Sequence, residues 1–399
     1  MKTGWHKTTL GAVAQVGAGN SAPQGDTLFA EGIYPFFRTS DAGRVRFGDI
    51  AESSDYLNNE GIKGLRLLPA GTILFPKSGA STFLNHRVMM AVDGYVSSHL
   101  ATIVGDEAKV DRRFLLYFLS TVSAQDLVQD HAYPSLNLPL ISGIPVLLPP
   151  LPKQHHIVAI LDEAFDGIAT AKTNAEKNLQ NARALFESHL QSVFTERGEG
   201  WVNITLDKAT GGVFTGPFGS LLHKSDYVTG GIPLVNPAHI TATGIKPDNK
   251  KTVSKETAQR LSSYIMRDGD IVIGRRGEMG RCALITDVED GWLCGTGSFF
   301  IKPSERCNPC YLVRFLRSDT CKQKLEKIAG GAVMPNLSNT DLGNLSINLP
   351  PPEQQKTIVG EIEAVAEETQ RLESIYQKKL TALEDLKKSL LHQAFSGAL

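Results

Sequence analysis

Apolar or small residues return every three or four positions along two stretches of the chain. The first runs Ile157, Leu161, Ala164, Ile168, Ala171, Ala175, Leu179, Ala182, Phe186, His189 and Val193. The second runs Ile358, Ile362, Val365, Thr369, Leu372, Tyr376, Leu380, Leu383, Leu390 and Ala394. That spacing lays one apolar stripe along an α-helix, with charged and amide side chains on the other faces. The step breaks between 171 and 179, and again between 372 and 380, in the manner of a coiled-coil stutter. Each stretch predicts one helix of roughly 44 residues, about 66 Å long at 1.5 Å per residue. A lone helix of this kind exposes its stripe and needs a partner, and the other copy is the obvious one. The predicted pairing residues are Ile157, Leu161, Ile168, Leu179 and Phe186 on the first helix, and Ile358, Ile362, Leu372, Leu380, Leu383 and Leu390 on the second.

The two helices are copies. A constant offset of 201 carries Leu148, Pro149 and Pro150 onto Leu349, Pro350 and Pro351, and Gln154, Ile157 and Val158 onto Gln355, Ile358 and Val359. It also carries Leu179, Leu185, Ser188, Leu190 and Phe194 onto Leu380, Leu386, Ser389, Leu391 and Phe395, and, upstream, Pro134 onto Pro335. An ungapped match of this length marks a duplication. Proline fixes φ and lacks an N–H, so it starts a helix but does not continue one. "PPLPKQ" and "PPPEQQ" therefore set where each rod begins relative to the unit before it.

The segments before the rods match more loosely. "GWHKTTLGAV" at Gly4 resembles "GWVNITLDKA" at Gly200, "LPAGTILFPKSG" at Leu68 resembles "MRDGDIVIGRRG" at Met266, and "LLYFLS" at Leu115 resembles "LVRFLR" at Leu312. "GTILFPKSG" and "GDIVIGRRG" read as buried strands ending in tight glycine turns. "DRRFLLYFLSTVSAQDLVQ" and "NPCYLVRFLRSDTCKQKLEKI" read as amphipathic helices. The predicted fold class is α+β, with two mixed globular heads separated by two long helices that form an antiparallel coiled coil, under an internal pseudo-two-fold repeat. The predicted segments are 1–150 (first head), 151–198 (first rod), 199–350 (second head) and 351–399 (second rod).

Composition narrows the class. No apolar run is long enough for a transmembrane helix, and the N-terminal segment has no secretory h-region. Five cysteines, all between Cys282 and Cys321, argue against a disulfide framework and for a reducing cytoplasm. The net charge is −1. Residues 197–348 carry 19 Lys and Arg against 15 Asp and Glu, a mild basic excess. No P-loop, metal-ligand spacing or nucleophile–base signature appears. "VGAGNSAPQG" lacks the third glycine of a dinucleotide loop. "VNPAHI" has Ala238 and His239 where an adenine methyltransferase motif has proline and an aromatic. Cys307 and Cys310 form one C-x-x-C with no matching second pair, so the cysteines read as buried thiols. Basic residues do stand at both glycine turns: Lys77 with Ser78, and Arg275, Arg276 and Arg281. Arg38, Arg44, Arg46 and Arg87 add to the first head, and Lys224 and Lys246, with Lys250 and Lys251, to the second. Arginine can bind guanine through two hydrogen bonds and lysine can neutralise phosphate, so these are the candidate DNA contacts.

The chain resembles the specificity subunits of type I restriction–modification enzymes. The resemblance is carried by "LPPLPKQHHIVAILDEAFD", "LPPPEQQKTIVGEIEAV", the helix ends "LFESHLQSVFTE" and "LKKSLLHQAFSGAL", and "MRDGDIVIGRRGEMG". It implies a non-catalytic subunit whose heads are target-recognition domains, each reading one half of a bipartite, asymmetric site in double-stranded DNA. It implies that the paired helices set the spacing and dock two modification subunits, which bind S-adenosylmethionine and methylate adenine at N6. Restriction subunits would join the same complex. The other class compatible with two heads on paired rods is a coiled-coil adaptor with two protein-binding heads.

Overall fold

The structure is a computed structural model of the 399-residue chain and describes residues 4–128, 134–195, 198–329 and 336–399. Pro335 lies outside the described residues. Two helices of 45 residues, Leu151–Thr195 and Pro352–Ser396, form the rods. The chain divides into two compact units that cut across sequence order. One holds Met1–Glu176 and Lys378–Leu399, the other Lys177–Gln377. Each unit therefore contains one head, the start of one rod and the end of the other.

In the first unit a five-stranded sheet runs in the order Ala14–Ala18, Leu100–Gly105, Ile73–Pro76, Arg87–Met90 and Phe47–Ile50, the last pair parallel. A three-stranded sheet, Asp55–Leu57, Tyr34–Phe37 and Tyr95–Val96, lies beside it in the order of the strands. In the second unit Thr210–Thr215, Ser298–Pro303, Ile271–Gly274 and Cys282–Leu284 repeat the first four strands. Ile73 pairs with Ile103 in one head and Ile271 with Ile301 in the other. The parallel partners Phe36 and Tyr95 recur as Leu234 and Leu293. Both strands read from the sequence as buried, Ile73–Pro76 and Ile271–Gly274, are buried at all four positions.

The head helices differ from the sequence reading in extent. The first covers Arg112–Thr121. In the second head the predicted single helix is two, Pro309–Arg317 and Asp319–Ile328. Ser318 caps the latter through Oγ, which accepts from the Cys321 N–H at 3.3 Å. A residue that hydrogen-bonds the backbone in extended conformation starts a new helix rather than continuing the old one.

The rods enter the head cores. Ile157, Leu161 and Ala394 are fully buried with Trp5, Leu10, Phe114 and Leu115. Phe194 and Ile362 are buried with Leu206, Tyr311 and Leu312. Phe395 meets the rings of Phe114 and Phe118 edge-on at 5.2 and 5.7 Å, and Phe194 meets Tyr311 and Phe315 at 5.6 and 5.7 Å. Within each unit the rod segments run antiparallel. Ile168, Leu179, Phe186, Ile358, Leu372, Leu380, Leu383 and Leu390 are half-buried along the stripe, while Ala175 and Ala182 are buried. Among the described residues one inter-rod ion pair stands in each unit, Lys172–Glu384 at 3.4 Å and Arg183–Glu373 at 2.6 Å.

Strand Val202–Thr205 pairs with Ser346–Leu349 in the same antiparallel register as His6–Thr9 with Pro145–Leu148. Each such pair closes a head just before its proline cluster. Among the described residues no helix is long and apolar enough to cross a membrane.

Candidate nucleic-acid interface

Strands that are distant in sequence end together at one end of each head sheet. In the first head the strand Ile73–Pro76 stops there and continues into Lys77 and Ser78, while Ala14–Ala18 and Tyr34–Phe37 stop beside it and Leu100–Gly105 begins. Four backbone hydrogen bonds tie the loops: Gly19 N–H donates to Leu100 O (3.1 Å), Lys77 N–H to His99 O (3.0 Å), Ser97 N–H to Phe37 O (2.9 Å) and Leu136 N–H to Lys77 O (2.8 Å). The second head repeats all four: Gly216 N–H to Ser298 O (3.0 Å), Arg275 N–H to Gly297 O (3.0 Å), Gly295 N–H to Val235 O (3.0 Å) and Leu337 N–H to Arg275 O (3.1 Å).

Two glycines allow this close packing. A Cβ on Gly19 would lie 2.2 Å from Ser97 O, and one on Gly216 would lie 2.0 Å from Gly295 O. Only glycine fits where one backbone presses on another. The G-x-G of "VGAGNSAPQG" thus serves a loop junction.

The backbone is common to both heads but the side chains are not. In the first, Ser78 Oγ and His99 Nδ1 are 2.7 Å apart, and the half-buried Lys77 follows the strand. In the second, Arg275 and Arg276 both donate from Nε to Asn336 Oδ1, at 3.0 and 3.3 Å. Arg276 is exposed, and the Arg275 guanidinium lies over the Phe299 ring at 5.7 Å. These bonds use one nitrogen of each guanidinium, leaving donors on each plane for an incoming acceptor. Arg38 in the first head and Asn236 in the second occupy the same position, after the strand that accepts the Ser97 or Gly295 N–H. Arg38 pairs with Asp55 and lies over the Phe36 ring at 5.1 Å.

Other predicted basic residues fall in different places. Arg46, exposed with φ 67°, precedes the strand Phe47–Ile50 at the same end of the sheet. Arg44 donates to Glu52 O at 3.1 Å and faces Asp41 at 3.5 Å. Arg281 sits beside the second cluster and is held by Glu278 at 2.8 Å. A cleft of about 360 Å³ opens there, lined by Thr241, Glu278, Arg281, Arg317 and Lys322. The Arg317 guanidinium is committed to carbonyls of Thr241, Ala242 and Cys282. Lys246 is exposed and its N–H donates to His239 O in the turn after Asn236. Lys224 lies on a turn before Tyr227–Val228, the edge strand of the second sheet, and Lys251 covers the Tyr227 ring at 4.8 Å.

Arg87 corrects the sequence reading. It is fully buried and meets no solvent. Its guanidinium lies over the Phe75 ring at 3.5 Å and donates to His86 O (2.8 Å) and to Val122 O (3.2 Å) at the end of the helix Arg112–Thr121. Burial lowers its pKa to about 9. Carbonyls at a helix C-terminus carry partial negative charge and compensate a cation there. Arg87 ties a strand to a helix and is not a DNA contact.

The cysteines lie in the second unit and are free thiols; all but Cys310 are buried. Burial pushes the Cys282 thiol up to about 11 and Cys307 up to about 12, and raises Cys294 and Cys321 further. Thiols of this kind stay protonated and inert. No cluster of metal-ligating side chains occurs among the described residues.

The type I restriction modification DNA specificity domain matches residues 2–180 and 211–382, most of the chain in two successive copies. The chain belongs to this family. Among relatives, the MjaVIII specificity subunit of Methanocaldococcus jannaschii is 21% identical over 391 residues, covering 92% of this chain and 87% of that one. Two solved structures share the fold. One is a chain from work on complex assembly and conformational transition of the type I R-M system, with TM-score 0.78, 17% identity and coverage of 100% and 99% of the two chains. The other is the HsdS subunit of Thermoanaerobacter tengcongensis, with TM-score 0.67, 18% identity and coverage of 100% and 98%. The family's two domain copies coincide with the two places where the same loop cluster is built.

Sequence reasoning missed Asn20, His99, Asn236 and Asn336. Asn336 holds both arginines, and the side chain of Asn20 bonds the backbone of Arg66. Asn20, His99 and Asn236 stand at strand ends whose equivalents lie at an offset of 197 or 198, while Asn336 keeps the rods' offset of 201 from Ser135.

Proposed function

We propose that this chain is the non-catalytic DNA-recognition subunit of a type I restriction–modification complex, each head reading one half of a bipartite, asymmetric site in double-stranded DNA. The observation that carries this reading is the loop cluster built twice on the same backbone bonds with different side chains. A shared scaffold with changed donors is what two readers of two different sequences require. The contacts proposed are Arg38, Arg46, Lys77 and Ser78 with His99 in the first head. In the second they are Arg275, Arg276 and Arg281, with Asn236 in the place of Arg38. Arg44, Lys224 and Lys246 contribute phosphate neutralisation at most.

The paired rods set the spacing and dock two modification subunits, which carry S-adenosylmethionine and methylate adenine. Restriction subunits complete the assembly, in the cytoplasm. A repeated surface supports two identical partners. Leu185 and Leu386 are repeat equivalents, and both are exposed, at 68% and 47%. An exposed leucine kept at the same position of both rods fits a docking contact used twice.

Methylation-sensitive sequencing of DNA from cells expressing this chain with a modification subunit tests the reading. Two half-sequences at one fixed gap are expected. Methylation without a bipartite sequence, or a purified complex that does not bind DNA at low salt, would overturn it in favour of the adaptor class.

A further inference from the structure

We infer that Gln154 and Gln355 are positioning residues that hold each head at one rotation on its rod and so restrict the gap between half-sites to a single length. The inference rests on the DNA-recognition reading above. Both glutamines stand on the first turn of a rod, on the face that continues into the buried Leu161 and Ile362, and both are fully buried. Gln154 Nε2 donates to Pro149 O (2.8 Å) and Lys109 O (3.0 Å), and its Oε1 accepts from the Asp111 N–H (2.8 Å). Gln355 Nε2 donates to Pro350 O (2.7 Å) and Arg306 O (2.8 Å), and its Oε1 accepts from the Asn308 N–H (2.7 Å).

The three partners are chosen alike in both units. The first is the proline linker, the second the loop before the head helix, and the third the N-cap of that helix. Asp111 caps Phe114 at 2.9 Å, and Asn308 caps Cys310 and Tyr311 at 2.9 and 3.2 Å. One side-chain amide therefore couples the rod's first turn to the head's own helix. The prolines fix φ but leave ψ free, and apolar packing is non-directional. Hydrogen bonds weaken steeply when bent, so the amide is an angular restraint made alike at both joints, where the other directional contacts differ: Tyr117 with Asp162 in the first unit, Trp201 Nε1 with Gln354 Oε1 (2.9 Å) in the second.

That restraint has the scale DNA demands. One base pair advances the duplex by about 3.4 Å and turns it by roughly 34°. A subunit that refuses gaps wrong by one base pair must resist a twist of that size at the joint. Neither glutamine belongs to the loop clusters, so their loss leaves the half-site sequences unchanged.

The test uses the full chain with its modification subunits and a plasmid library in which the two half-sites are separated by random gaps. Methylation at each gap length is read by sequencing. Wild type gives one length. Gln154→Ala and Gln355→Ala keep both half-sequences, while methylation at gaps one base pair off rises about tenfold relative to the correct gap. Gln154→Met and Gln355→Met keep the volume, remove the bonds and give the same broadening. The core variants Val146→Ala and Ile347→Ala lower thermal stability without broadening the gap. A single unbroadened gap in either methionine variant that still methylates overturns the inference, as does equal broadening in the core controls. Loss of methylation in both methionine variants also overturns it, because the amides then serve folding rather than angle. Wild type with no bipartite methylation overturns the DNA-recognition reading itself, a result distinct from all of these.

Discussion

The joints between head and rod and the loop clusters evolved in opposite directions after the same duplication. At the joints the two copies share the strand register, the glutamine bonds and a rod phenylalanine packed on the head helix. At the clusters the backbone bonds agree, but Lys77, Ser78 and His99 stand where the other copy has Arg275, Arg276 and Gly297. The glutamine and its bonds have been kept where geometry is the product, and side chains have changed where sequence is read. A joint that drifted would spoil the spacing for every site, whereas a cluster that drifts only changes which site is read.

The contrast can be broken at its base. Leu161→Asp and Ile362→Asp place a carboxylate in fully buried positions under the first and second head. Each is expected to cost several kcal/mol and to abolish soluble folded chain, as seen by yield and thermal melting. Leu179→Asp and Leu380→Asp, at half-buried seam positions, are expected to cost distinctly less.

Alkaline pH separates the units without mutation. The buried thiols have folded pKa values raised above their ordinary value near 9, to about 11 for Cys282 and about 12 for Cys307. The unfolded chain releases those protons first, so stability present below pH 9 is lost as pH rises. The loss is about 1.4 kcal/mol per pH unit for each such thiol. Hydrogen exchange at pH 10 is expected to show the second unit opening more than the first. Equal opening would count against the burial argument.

Arg87→Ala tests the correction to the sequence reading. It leaves a cavity against Phe75 and removes the donor from Val122 O, at a cost of about 3 kcal/mol in thermal or denaturant unfolding. Discrimination among half-site variants is expected to stay unchanged.

The smallest effects sharpen the cluster side. Arg275→Ala or Arg276→Ala is expected to weaken binding by about 1–3 kcal/mol and relax one position of one half-site, and Lys77→Ala is expected to act on the other half-site only. Binding to single-base variants at two salt concentrations distinguishes this from a phosphate contact, which would weaken all sequences alike and lower the salt slope by about one.

What the sequence disclosed follows from what repeats and period can carry. The rods were legible because a 45-residue amphipathic pattern returns without a gap. The strands Ile73–Pro76 and Ile271–Gly274 were legible from apolar runs bounded by glycine turns. Arg87 was misread because no local pattern reveals that its strand lies inside a five-stranded sheet, with Phe47–Ile50 added parallel on its far side. Gln154 and Gln355 were seen as matched positions, but an amide on a first helical turn normally faces water. Its burial depends on a loop more than 40 residues upstream. The cluster residues were scattered for a similar reason: strand pairing assembles them, and the offset between copies shifts from head to rod.

The two inter-rod ion pairs carry a consequence for how the chain chooses its own fold. The offset of 201 maps Lys172 onto Glu373 and Arg183 onto Glu384, so the bridges Lys172–Glu384 and Arg183–Glu373 are one ancestral contact, with both cations on the first rod and both anions on the second. Two first rods meeting in the same register would set Lys172 against Arg183, and two second rods would set Glu373 against Glu384. Each bridge is largely solvent-exposed and worth only about 0.2–1 kcal/mol. Discrimination is nevertheless the difference between attraction and repulsion at both contacts together. A duplicated gene begins with halves that can pair with themselves as well as with each other. Splitting the charges between the copies turns that ambiguity into a preference for the complementary half.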